Sequence, residues 1–491
     1  MSTGKLPLPA DGLQLNFCKT LACRNFGLED EQYYILQHSN PSRPAMICRE
    51  CGAFPPLLSN IEVKHEAQRQ ASLDRLPGCT NEQCQHYSTP AVLYPELYQH
   101  FGYSGLRQRL RCKHCRTTFT DPFSAPNSHL DIHAKIIEQL VQSKPVRDIC
   151  RELSLNPKSF YHHLQLIAQR CQHVSAIFQH AILRHKPLQH LSVTINELQP
   201  KSHNGVDWLT IADEESGYIL SQSTNYENLI APPECGQHNP FDSNCQYLPL
   251  DSVNHGEANP SIWPEQLLSR IEGRYRQIMS RHNVEEPLHQ SDFYRYPNNG
   301  SLIRSQYMVY GHFLHLKPFL NIDNTALYLP QEPLLRSAIV SIFKQEVANG
   351  SLSPVYVESI GEMDQPSDKV DIVLVGWWRD RWAINRNAKG SKGICHLGKQ
   401  VGREKHWLAQ ARLDKNKRYV DNYRHYFHAY LDEPRRYSHP MMLQHLLSIY
   451  QSLHNLTAVF NQPAAQKANI LSTPLSINAL LSKGNPHQSG Q

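Results

Sequence analysis

No stretch of the chain approaches about 18 consecutive apolar side chains, so the sequence offers no membrane-spanning helix. The opening residues, MSTGKLPLPADGLQLNFC, lack the basic end and apolar core of an export signal. The expectation is an intracellular setting, where thiols stay reduced and close cysteine pairs point to metal rather than disulfides. Charged residues are few, at 19%, but apolar ones reach 40%, which excludes wholesale disorder. A length of 491 residues suggests about three domains.

The net charge is a modest +5, unevenly spread. Residues 101–170 hold 11 Lys and Arg against 5 Asp and Glu, and residues 376–424 hold 13 against 4. Those surpluses of +6 and +9 leave −10 for the rest of the chain. Two basic blocks in an otherwise acidic chain are the footprint of a polyanion binder, with two solvated basic faces as the alternative.

Eight of the 13 cysteines precede residue 116, and they repeat. Cys18-x4-Cys23 with Cys48-x2-Cys51 is followed, 61 and 64 residues on, by Cys79-x4-Cys84 with Cys112-x2-Cys115. The surroundings repeat too, MICRECGAF against LRCKHCRTTF, which indicates a tandem duplication. Each copy supplies four thiolates from two tight turns, enough to close a tetrahedral Zn²⁺ shell with no open position. Two structural zincs are therefore expected, and binding them would be folding them. Cys235 and Cys245, with His238 nearby, lack the paired-turn spacing and read as idle thiols or a weak metal site.

Around the second CxxC, Arg107, Arg109, Arg111, Lys113 and Arg116 crowd together with Tyr103 and Phe119, a grouping suited to phosphate contact. Beyond Pro126 the apolar spacing becomes helical: Ile132, Ile136, Ile137, Leu140 and Val141, then Val146, Ile149, Cys150 and Leu153. Asn156 and Pro157 supply an N-cap and a first-turn proline to a third helix with Phe160, Leu164 and Ile167 inward. This spacing predicts a helix-turn-helix, with Lys158, Ser159, Tyr161, His162, His163 and Gln165 outward toward a DNA major groove. An ordinary three-helix bundle is the alternative.

A ribbon of the form CxxxxC…GxxRxRCxxCxxTF running directly into a helix-turn-helix resembles the N-terminal region of bacterial insertion-sequence transposases, over about residues 79–170. The extra ribbon at 18–51 is less usual there. The resemblance implies a following ribonuclease-H-like domain whose three carboxylates hold two Mg²⁺ ions for phosphoryl transfer. HLSVTINEL, DWLTIADEE and GYILSQST read as three strands, NTALYLPQ and SPVYVESI as two more, and PLLRSAIVSIFKQEV as an amphipathic helix. On that pattern Asn196 stands where the first carboxylate belongs, beside Glu197, and Glu332 follows a proline at the second. Asp421, or Asp414, is the third candidate. YSHPMMLQHLLSIYQSLHN resembles the same families' closing helix.

The block at 376–407 interleaves Trp377, Trp378 and Trp382 with arginines and could hold a nucleic-acid backbone, or its tryptophans could be core. Its glycines do not fit a phosphate loop.

The expected fold is multidomain α+β: zinc ribbons at 1–60 and 70–125, a helix-turn-helix at 126–175, a ribonuclease-H-like mixed-sheet domain at 186–430 with a loop insertion at about 226–262, and a C-terminal helix and tail at 431–491. The expected function is that of a transposase-derived, sequence-specific binder of double-stranded DNA without strand-transfer activity. It would serve as a regulator or a component of a mobile or defence element, cytoplasmic and nucleoid-associated, with homo-oligomerisation left open. The alternative is an active DNA transposase using Glu197, Glu332 and Asp421 with Mg²⁺.

Overall fold

Cysteine turns, a three-helix segment and long apolar strands each become separate structure in the computed structural model of the chain. The structure describes residues 6–37, 45–73, 76–185, 188–198, 206–227, 263–281, 284–285, 301–361, 369–376, 379–398, 404–431 and 439–482. The protein is mixed α+β and groups into two units, one of residues 1–68, 187–214 and 221–417, the other of residues 69–186, 215–220 and 418–491. Cys235, Cys245, His238, Trp377 and Trp378 lie outside the described residues.

In chain order the main elements are β1 (Tyr34–Gln37), β2 (Ala45–Cys48), α1 (Asn60–Leu73), β3 (Tyr98–Ser104), β4 (Arg107–Cys112) and β5 (Thr118–Thr120). Then come α2 (Leu130–Val141), α3 (Val146–Glu152), α4 (Pro157–His185), β6 (His190–Leu198), β7 (Val206–Asp213), β8 (Ile219–Thr224), β9 (Tyr226–Glu227) and α5 (Trp263–Met279). The chain continues through β10 (Ser301–Leu302), α6 (Ser305–Leu316), β11 (Thr325–Leu329), α7 (Pro333–Ile342), α8 (Lys344–Asn349) and β12 (Leu352–Gly361). It ends with β13 (Val370–Val375), β14 (Asp380–Asn387), β15 (Gly390–His396), α9 (Glu404–Gln410), α10 (Asp414–Tyr426), α11 (Pro440–Leu456), α12 (Ala464–Lys467) and α13 (Ile477–Ser482).

The first unit is built on an eight-stranded mixed sheet in the order β13-β14-β15-β12-β11-β6-β7-β8. β11 runs parallel to both β6 and β12, while β7, β15, β14 and β13 join by antiparallel pairing. Central position explains composition: β11 (TALYL) is buried at every residue, as a strand covered on both faces must be. One face packs Tyr328, Val355, Val357 and Ile394 against Trp407 and Leu408 of α9. The hairpin β14–β15 fills the stretch that sequence patterning left as a basic block, and there Trp382 is core, fully buried. The predicted helix 333–347 divides into α7 and α8 at Phe343, whose backbone (φ −104°, ψ 37°) leaves the helical region.

The second unit combines the three-stranded sheet β3-β4-β5 with α2, α3, α4 and the C-terminal helices. α4 is 29 residues long, well beyond the segment its apolar stripe predicts. The extension is covered by α11: Ser452 bonds Ser175 (2.6 Å) and Gln172 bonds Ser448 (2.9 Å). Through these bonds α11 packs on α4 and forms part of the helical unit. No described helix is long and apolar enough to cross a membrane.

Candidate metal centres and nucleic-acid interface

Among the described residues, two sets of His, Cys, Asp or Glu side chains bring three or more ligand atoms within 4.8 Å of one another. They are Cys18, Cys23, Cys48 and Cys51, and Cys79, Cys84, Cys112 and Cys115. Sulfur separations are 3.5 Å (Cys18–Cys51), 3.7 Å (Cys23–Cys48), 3.4 Å (Cys79–Cys115) and 3.8 Å (Cys84–Cys112). A tetrahedral ion about 2.3 Å from each sulfur sets its ligands about 3.8 Å apart, so both cages fit one metal with no vacant position. The thiols of each cage are pushed in opposite directions: burial raises Cys18, Cys23, Cys79 and Cys84, whereas hydrogen-bond donors favour the thiolate at Cys115 and Cys48. The Thr117 hydroxyl holds Cys115 down to about 6. At Cys48, burial is outweighed by the Cys51 and Glu50 amides and the thiol falls to about 7.

The duplication read from spacing extends to individual hydrogen bonds. Cys23 N donates to Thr20 O and Cys84 N to Asn81 O; Cys48 N donates to Ala53 O and Cys112 N to Thr117 O. In each copy a buried tyrosine locks the first knuckle: Tyr34 accepts from Cys18 N and donates to Leu28 O, and Tyr98 accepts from Cys79 N and donates to Thr89 O. The turn closes with a left-handed residue just after each CxxC's second cysteine, Gly52 (φ 69°) and Arg116 (φ 64°), whose N–H bonds back to the first cysteine's carbonyl.

The copies differ in what surrounds them. The first is fixed to its unit by Lys19, next to a cage cysteine: its buried Nζ reaches both Glu285 oxygens (3.3 and 3.2 Å) and Tyr310 OH (2.6 Å). Lys344 adds bonds to Glu29 and to Gly27 O. The second instead extends the β3–β4 hairpin into solvent, with Phe101, Tyr103 and Leu106 exposed.

Of the candidate contact residues on this copy, Arg107, Lys113 and Arg116 are exposed and Arg109 and Arg111 half-buried. Arg111 lies 3.8 Å over the Phe101 ring and Arg109 5.5 Å, cation–π placements that stiffen both arginines. At the base of the hairpin a groove of about 500 Å³ is lined by Arg107 and Phe123 on one side and by Leu166, Gln169, Arg170 and His173 of α4 on the other.

Asn156 caps α4, its side chain accepting from Ser159 N (2.8 Å). Lys158, Tyr161, His162 and Gln165 are exposed and Ser159 is half-buried. His163 corrects the outward reading: it is buried, its Nδ1 hydrogen-bonded to His133 Nε2 (3.1 Å), and it ties α4 to α2. Four histidines at 129, 133, 162 and 163 cluster here, a pattern that the apolar spacing could not reveal.

The carboxylate candidates do not gather. Glu332 is fully buried with both oxygens engaged, by Arg281 Nη1 (2.7 Å) and Nη2 (2.9 Å) and by Arg274 Nη2 (3.1 Å), and it caps α7 through Leu334 N. Burial would raise its pKa; the Arg281 and Arg274 guanidiniums outweigh that and hold it below the ordinary range. Glu197 is half-buried on β6 opposite Asp207. Asp421 belongs to the other unit. Asn196 donates to Thr194 (3.1 Å), and Thr194 and Thr210 both donate to the buried Asn416 (3.0 and 2.6 Å). A neutral network of amides and hydroxyls thus fills the position expected for the first metal ligand. Asp414, at the start of α10, adjoins Glu214, whose carboxylate accepts from Lys415 N and Asn416 N.

Compared with known family models, curated proteins and solved structures, the chain matches none of them.

Proposed function

We propose that this protein is a zinc-containing, sequence-specific DNA binder of transposase descent that does not itself carry out strand transfer. The observation that carries the reading is the stripe of Lys158, Tyr161, His162 and Gln165, exposed along one side of α4 just after its capped start and across a short turn from α3. In a helix-turn-helix that is where base-reading side chains stand. The acid-free basic hairpin of the same unit adds a second cationic element for phosphates. Zn²⁺ suits both thiolate cages better than harder ions, which prefer oxygen.

Descent from a transposase is supported by strand order. The order β8-β7-β6-β11-β12, with β11 parallel to both neighbours, fits what a ribonuclease-H-like core with an added edge of β13–β15 would have. Loss of chemistry is supported by Glu332, whose charge is spent on two arginines. Such a protein would act as a regulator or as part of a mobile or defence element.

The test begins with the zinc-loaded full chain and a pool of random duplexes, from which repeated selection should enrich one motif. Replacing Lys158, Tyr161 and His162 together by Ala should then abolish preference for that motif while leaving secondary structure and zinc content intact. Enrichment of no motif, or a triple variant that binds its motif unchanged, would sink the proposal.

A further inference from the structure

Nothing in the folding of the second tetracysteine copy calls for the end of its hairpin. The arm is anchored at its base, where Tyr98 pairs with the cage residue Cys112 and β5 lines β4. Beyond that base β3 is exposed at every residue from Gln99 to Ser104. At the tip Tyr103 is 69% exposed and Leu106 75% exposed. Single exposed apolar residues are ordinary, but two at one tip gain nothing from folding.

The backbone presents them. A bulge between His100 and Tyr103 re-aims β3, and the two-residue turn Gly105–Leu106 has Gly105 at φ 60°, as the tight hairpin turn requires. A side chain added at Gly102 or Gly105 would meet nothing within 4 Å, so the tip stands clear. Behind it residues 98–120 hold Arg107, Arg109, Arg111, Lys113 and Arg116 and no Asp or Glu. Arg109 and Arg111 are held over Phe101, and among the described residues neither forms an ion pair with an acid.

A stiff β-arm with a cationic shaft and an apolar tip has the chemistry of a wedge. Its shaft suits phosphates, and its tip suits the space between two stacked bases. We propose that this hairpin lies along the minor groove of duplex DNA and inserts Tyr103 and Leu106 at a base step, unstacking it and kinking the duplex. The inference rests on the DNA-binding reading above and deepens it, because the site would then be chosen partly by deformability. Flexible steps such as TA are where insertion is easiest.

The experiment uses the zinc-loaded full chain and a short duplex with a central TA step, a fluorescent adenine analogue beside the step, and a dye on each end. Binding of the wild type should brighten the analogue and bring the ends together. The double variant Tyr103→Ser/Leu106→Ser, checked for two zincs and unaltered circular dichroism, should still bind, within about tenfold, but lose both signals. The variant Arg109→Ala/Arg111→Ala should flatten the salt dependence of log K by about 2, near 0.9 for each phosphate that is no longer neutralised.

If the wild type binds no duplex, the DNA-binding reading fails and the wedge with it. Binding without distortion, or distortion unchanged in the tip variant, overturns the wedge alone. A tip variant that loses affinity for single strands but distorts duplex normally would overturn it in favour of a stacking platform for unpaired bases.

Discussion

Arg281 grips Glu332 through both terminal nitrogens, Nη1 to Oε1 at 2.7 Å and Nη2 to Oε2 at 2.9 Å, with both side chains 3% exposed. A buried fork-to-carboxylate pair is held by mutual dependence: removing one partner strands the other charge without water. Glu332→Gln should therefore destabilise the sheet unit by about 3–5 kcal/mol. Trp208, Trp382 and Trp407 are buried in this unit, so tryptophan fluorescence during melting follows it. The pH dependence has a definite sign. A carboxyl whose pKa is lower folded than unfolded contributes stability that is present above its unfolded value and lost as pH falls through the folded one. Wild type should lose stability under acid below about pH 4.5, the ordinary carboxyl value, and Glu332→Gln should lose less there.

The two cages should fail differently when a ligand is removed. Cys18→Ser and Cys112→Ser should each release one of two zincs, measured by elemental analysis, since each thiolate is a quarter of a closed shell. In Cys18→Ser the loss should also lower the fluorescence-monitored melting temperature, because the neighbouring Lys19 holds the buried Glu285. Cys112→Ser should leave that transition in place and cut DNA affinity, because Cys112 anchors the exposed hairpin. Equal effects of both variants on fluorescence melting would refute this division.

Much of this was legible because the signals were local. The cysteine spacing encodes the cages, down to the matched bonds of Cys48 and Cys112, since a CxxC turn has few ways to fold. Strands β6, β7, β8, β11 and β12 followed from apolar runs between polar turns. What escaped detection was non-local. Nothing near Glu332 in sequence announces Arg274 and Arg281, 58 and 51 residues away. His163 has outward helical neighbours, and only the position of His133 on another helix turns it inward. β14–β15 reads as a charged loop because its short buried runs, Trp382 to Asn385 and Gly393 to Cys395, are bracketed by Arg381 and Arg386 and by Lys392 and His396.

The His133–His163 contact gives the helical unit an acid sensitivity of its own. Burial, then the nearby His163 and His129, lowers His133 to about 4, and burial lowers His163 as well. A histidine depressed on folding stabilises the fold above its unfolded value, and that contribution is lost as protons bind the unfolded chain. Melting followed by far-ultraviolet circular dichroism should therefore be steady above pH 6.5 and fall between 6.5 and about 4. His133→Gln, which retains hydrogen-bonding capacity but no titrating ring, should make that fall shallower without abolishing it, because burial also lowers His445 and His454 of the same unit to about 4. A variant profile identical to wild type would place the acid sensitivity elsewhere.

The last prediction is that Mg²⁺ or Mn²⁺ will not enable the protein to cleave or join DNA ends. Two divalent ions held close together repel strongly and stay only where several negative ligands converge. Here Glu332 already meets two guanidinium groups within 3.1 Å, so positive charge occupies the place a metal would take. On β6 the side chain at the expected first position is the Asn196 amide, bonded to Thr194 within a neutral network. An amide oxygen can touch a metal but brings no charge to offset ionic repulsion. The assay should use a duplex carrying the motif recovered by selection, with either metal, and compare wild type with Glu197→Gln, Glu332→Gln and Asp421→Asn. Metal should also leave the melting temperature unchanged, because an ion that binds only the folded state must raise it. Metal-dependent cleavage or joining in wild type, lost in Glu197→Gln or Asp421→Asn while zinc content and fluorescence melting persist, would overturn the inactive reading and make the protein a transposase.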